Sequence, residues 1–161
     1  MKRFATSILT ILALVSLALA DSPHFKRAPR LTDNGLTVSA SGAIAGLGNG
    51  NVIVTLDFPN ATATTICTNQ GGNEAPGQNP AAPVEVSGSV LIDRVKNGNV
   101  SFSLTTIAPD NPTWDVAGCQ NSNWSASIDD INFGAGTLVV QQETFQGSGV
   151  YEVVLSLNVF L

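Results

Sequence analysis

Between positions 36 and 160 the apolar residues fall at alternate places in short runs, and clusters of Gly, Asn and Pro break each run early. No stretch sustains the i, i+3, i+4, i+7 spacing of an amphipathic helix for three turns, so the chain reads as strands. The alternation is plainest where Val100, Phe102 and Leu104 interleave with Ser101, Ser103 and Thr105. One face of such a strand packs inward while its hydroxyls meet water. Runs of this kind lie at 36–46, 51–58, 62–68, 84–93, 100–107, 124–133, 137–144 and 150–160. They predict an all-β fold: a single-domain antiparallel β-sandwich of about eight strands, Ig-like or Greek-key, with at most one short helix.

Asn49-Gly50 and Asn97-Gly98 both suit the positive φ of tight hairpin turns, and each is followed by Asn-Val and an alternating run. Two hairpins are expected there. Overlaid, 38–58 and 86–106 share Val, Ser, Ser, Ile, the tetrad Asn-Gly-Asn-Val and a Leu at matching places. Either the chain carries an internal duplication, or two turns in a Ser, Gly, Val and Asn-rich sequence converged on one solution. The helical signal lies at 111–118, where Asn111 caps, Pro112 fits the first turn and Gly118 terminates. The connection at 69–83, rich in Gly, Asn, Gln and Pro, is either a recognition loop or a mobile one.

Lys2 and Arg3 precede an apolar stretch that closes on Ala18-Leu19-Ala20, the pattern of a secretory signal peptide over 1–20 cut after Ala20. The alternative, a membrane anchor, calls for about 20 apolar residues and no cleavage pattern. No membrane span is therefore expected in the mature chain. Residues 21–35 are polar and proline-bearing, which predicts a mobile or pro-like segment ahead of a sandwich domain at 36–161. Lys26-Arg27 is either a dibasic site for a processing protease or part of a solvated linker.

Among the 161 residues only 12% are charged, and the formal net charge is −5. After position 27 the cations are Arg30, Arg94 and Lys96 against many carboxylates, which excludes charge-driven binding of nucleic acid or anionic lipid. Cys67 and Cys119, the two thiols of a chain bound for an oxidising compartment, are expected to form a disulfide. The single histidine, His24, precedes the predicted domain, so neither a Ser-His-Asp triad nor a His-bearing zinc site is expected. No phosphate-binding Gly-rich loop or calcium loop occurs, and no cofactor or metal is expected.

A carboxylate pair is the enzymatic chemistry that survives. Asp129 and Asp130 are neighbours on a predicted strand and point to opposite faces. Glu74 with Glu85, or Asp110 with Asp115, would need folding to meet; otherwise these are solvated surface charges. For sugar stacking the aromatic candidates are Trp114, Trp124 and Tyr151. Trp124 reads as core, and Trp114 either as an exposed platform or as cover for the disulfide. Trp114, with Asn73 and Glu74 from the 69–83 loop, forms the candidate ligand-binding set. Asn60, Asn99 and Asn123 each begin an N-glycosylation sequon, expected at the surface in a eukaryotic secretory route.

The segments CTNQGGNEAPGQNP, KNGNVSFSLTT and CQNSNWSASIDDINF resemble a family of small secreted β-rich proteins from filamentous fungi and actinobacteria. The resemblance spans about 37–141 and is most specific in the loop after Cys67. It implies secretion and β structure, and it transfers no catalytic residue. The expectation is a secreted, non-catalytic interaction or surface-associated protein with an extracellular protein or glycan as partner. Its rivals are a carbohydrate-binding module and a small carboxylate-dependent hydrolase.

Overall fold

The structure, a computed structural model, describes residues 22–93, 95 and 97–161. They form β1 (His24–Phe25), β2 (Arg30–Asp33), β3 (Val38–Ala45), β4 (Val52–Asn69), β5 (Glu74–Pro76), β6 (Ala82–Ile92), β7 (Val100–Thr105), β8 (Trp124–Asn132), β9 (Ala135–Glu143) and β10 (Tyr151–Phe160). All pairings are antiparallel and fall into two sheets, a β-sandwich.

In the smaller sheet β3 is central, with β7 on one edge and β1 and β2 in succession along the other. Residues 24–25 and 30–33, polar by composition, are thus edge strands, and Phe25 and Leu31 pack against the core. In the larger sheet β4 is an 18-residue spine. Its first half lies between β9 and β6, and its second half between β8 and β5. The runs expected as separate strands at 51–58 and 62–68 are this one strand, which continues through a bulge between Phe58 and Ala61. Pro59, lacking a ladder donor, sits within the bulge, where its missing N–H costs least.

Two expectations need correction. The Asn-Gly turns do not close hairpins, because β3 belongs to the smaller sheet and β4 to the larger, and the reverse holds for β6 and β7. Each turn instead carries the chain from one layer to the other. At 111–118 there is a single tight turn, with Ala117 N donating to Thr113 O at 3.0 Å and Gly118 N to Asp115 O at 3.1 Å. Gly118 then turns to φ +72° and leads into the disulfide before a second helical turn can form.

The crossings expose an approximate two-fold relation between 38–58 and 86–106, offset by 48 residues. Ser39 faces Thr105 in the smaller sheet, and the offset counterparts Ser87 and Asp57 face each other in the larger. The same holds for Ala40 with Leu104 against Gly88 with Leu56, and so on to Ile44 with Val100 against Ile92 with Val52. Each arch contributes one strand to each sheet, so the two interlock. The matching registers show that the sequence correspondence extends to strand pairing, which local turn chemistry does not dictate.

Period-two burial fills the space between the layers. Val38, Ala40, Ile44, Phe102 and Leu104 face Val52, Val54, Leu56, Phe58, Val86, Leu138 and Val140, all buried. Phe58 meets Phe133 with ring centroids 5.4 Å apart and planes inclined at 56°. Gly88 lies where β7 passes over β6; a Cβ there would sit 2.6 Å from the Thr106 Cα, so only glycine permits that approach.

Candidate functional site

The second half of β4 carries an open groove of about 420 Å³ on its outer face. Thr64 and Ile66 of β4 form its floor, Glu74 and Pro76 of β5 one wall, and Asp129 of β8 the other. Thr68 faces Glu74 in register, and Thr64 faces Asp130. Asp129 is the extra residue of a bulge, since Thr64 pairs with Asp130 and Thr65 with Ile128. A bulge re-aims its extra side chain, and here it brings Asp129 into the groove that Glu74 lines. Beneath Gly77, Thr65 is buried and its hydroxyl oxygen has no hydrogen-bond partner.

The carboxylates therefore assort differently from the sequence pairs. Glu74 shares its groove with Asp129, while Glu85 and Asp110 line a separate groove of about 450 Å³ beside Ile107. Glu85 does not line the Glu74 groove, and Asp115 does not line the Asp110 groove. Asp115 belongs to the tight turn, where the Thr113 hydroxyl, its own backbone N–H and that of Val116 hold its carboxyl below the usual range.

Trp114 is 39% exposed on the same turn, and its carbonyl accepts from Cys119 N at 2.7 Å. The cover over Cys67 and Cys119 comes from Trp124, which packs with Ala126 against the disulfide and the buried Ala117. That disulfide has formed, with Cα atoms 5.7 Å apart. Asn73 is held in the β4–β5 turn: its N–H donates to Asn69 Oδ1 at 2.9 Å, and its carbonyl accepts from Asn69 N at 3.0 Å. Of the ligand-binding set, then, Glu74 lines the groove, Asn73 shapes the adjoining turn, and Trp114 stands exposed on a different loop.

The 69–83 connection is tied down along its length. Beyond β5, Gly77 N donates to Thr65 O, Gln78 N to Gly118 O and Asn79 N to Ala117 O, at 2.8, 3.2 and 3.2 Å. Asn60, Asn99 and Asn123 are all exposed, Asn60 within the β4 bulge. Lys26 and Arg27 are exposed in the bend between β1 and β2, and Ala20 lies outside the described residues.

Sequence reasoning missed one feature of the surface. Leu91, Ile53, Gln141 and Val153 stand side by side across β6, β4, β9 and β10 on the outer face of the larger sheet. Leu91 is 54% and Val153 60% exposed. The next row is Ser89, Thr55, Val139 and Ser156. Apolar residues at outward places of otherwise alternating strands were the available signal, hidden because the strand order was unknown.

No protein-family model, curated protein or solved structure matches the chain.

Proposed function

We propose that the protein is a secreted, non-catalytic interaction or surface-associated protein that works outside the cell. The observation that carries the reading is the row Leu91–Ile53–Gln141–Val153 on the outer face of the larger sheet, in which exposed Leu91 and Val153 flank Ile53 and a single amide, with hydroxyl side chains in the neighbouring row. Contiguous exposed apolar surface costs solubility, and where it persists it commonly serves contact with another surface. The disulfide and the three exposed sequons fit an oxidising, extracellular setting. Among the described residues no helix is long and apolar enough to cross a membrane.

The test is retention of labelled protein on the outer surface of the cells that produce it. Leu91→Glu with Val153→Glu is expected to abolish retention and leave the circular dichroism unchanged. Retention undiminished in that variant would overturn the reading.

One rival has a specific observation behind it: Glu74 and Asp129 line one groove, as a carboxylate-dependent hydrolase would need. Polysaccharide hydrolysis by the wild type, lost in both Glu74→Gln and Asp129→Asn, would establish that rival. For the carbohydrate-binding reading, glycan binding abolished by Trp114→Ala is the corresponding result.

A further inference from the structure

The attachment of the N-terminal strand is uneven. β1 meets β3 through only two residue pairs, His24 with Ala45 and Phe25 with Ile44, plus a hydrogen bond from Lys26 N to Ala43 O at 2.9 Å. β2 is held along its whole length by the pairs from Arg30–Ser41 to Asp33–Val38. Between them Lys26, Arg27 and Ala28 are exposed, and beyond the Lys26 N–H the chain bends away from β3. Ala28 precedes Pro29, and a residue before proline is driven into extended backbone, the conformation in which a protease cleft binds its substrate. A two-residue edge strand also opens readily, so the residues on the N-terminal side of the bond can enter such a cleft without unfolding the sandwich.

Charge marks the same place. Lys26, Arg27 and Arg30 line one groove of about 400 Å³ with Ser41 and Ala43. On a chain of net charge −5 the three clustered cations give an acidic-lined, dibasic-specific cleft local attraction.

We propose that the Arg27–Ala28 peptide bond is a processing site for a dibasic-specific endoprotease, and that its cleavage strips β1 from the sandwich and bares the β3 edge at 43–45. Water adds across the bond, leaving a carboxylate on Arg27 and an amine on Ala28. The released piece takes His24, Phe25, Lys26 and Arg27 with it, so one cut removes the strand and dismantles the basic groove. After the cut β1 is held by its two pairs, the Lys26 hydrogen bond and the Phe25 contact with the core, while β2 stays, because its ladder and Leu31 lie on the other side of the cut. From the secretory reading the inference takes only the encounter with such a protease; the bond's susceptibility is a property of the folded chain.

The experiment treats the folded full chain, purified from a host without dibasic processing, with a purified dibasic-specific serine endoprotease. Intact mass and N-terminal sequencing are expected to show complete conversion to a single product beginning at Ala28. Gel filtration should separate the released peptide, and hydrogen exchange should rise in peptides covering 43–45. Lys26→Gln with Arg27→Gln should remain intact. Resistance of the native chain under conditions that cut the denatured chain would overturn the proposal. So would cleavage elsewhere, or a nicked peptide that stays bound through gel filtration. Because the assay is done in vitro, it fails or succeeds independently of whether the protein is secreted.

Discussion

Leu47 and Val95 make the same contact twice: Leu47 N donates to Gly98 O at 3.1 Å, and Val95 N donates to Gly50 O at 3.0 Å. The residues are 48 apart, the offset that maps one arch onto the other, and both are buried. The two layer-crossing turns thus lock each other, each supplying a donor and an acceptor.

Truncating this lock is expected to be costly on either side. Leu47→Ala should lose about 3 kcal/mol in urea unfolding, and Val95→Ala about 2 kcal/mol. Gly98→Ala should lose about 1–2 kcal/mol from the left-handed backbone alone, since Gly98 sits at φ +69°. A Cβ there would also lie 2.9 Å from Leu47 O, so the lock itself would be disturbed.

The Cys67–Cys119 bond closes a loop of 52 residues. In the chain-entropy model that stabilises by about 4 kcal/mol. Cys67→Ser with Cys119→Ser should lower stability by roughly that amount, and Trp124 emission should shift because that ring covers the bond. Two titratable thiols in unreduced, denatured protein would contradict the bond.

Glu143 ends β9 buried, its carboxylate accepting from Gly149 N at 2.9 Å and Asn51 N at 3.2 Å. These donors, Gly149 first, hold its carboxyl below the usual range. A group with a depressed folded pKa stabilises fully above its unfolded value of 4.5 and loses that contribution as pH falls through the folded value. Acid unfolding curves should therefore show stability declining below about pH 4.5, and Glu143→Gln should flatten the decline. A residual slope from Asp115, shifted in the same direction, should remain.

Thr65 buries a hydroxyl without a partner. Thr65→Val keeps the shape and removes the desolvated oxygen, so thermal unfolding should show a gain of about 1 kcal/mol. A loss would mean that the hydroxyl is satisfied in solution.

Much of the fold was legible in the residues. Alternation such as Val100, Phe102 and Leu104 fixes a strand and its buried face wherever that strand ends up, and two cysteines in this composition fix one crosslink. Asn-Gly dictates a sharp turn, because positive φ is a local property. It does not dictate what the turn joins, and both Asn-Gly turns join different sheets.

The sequence by itself determined the β class, most of the long strands with their alternating faces, and the pairing of Cys67 with Cys119, since each depends on local periodicity or on residue type alone; the short strands β1, β2 and β5 and the continuity of β4 were not among them. Tertiary structure decided that Glu74 and Asp129 line one groove, that Trp124 packs on the disulfide, and that Leu91 and Val153 share one outer row. Those outcomes depend on strand order, register and a single bulge. They are set by the joint packing of residues far apart in the chain, which local propensity does not encode.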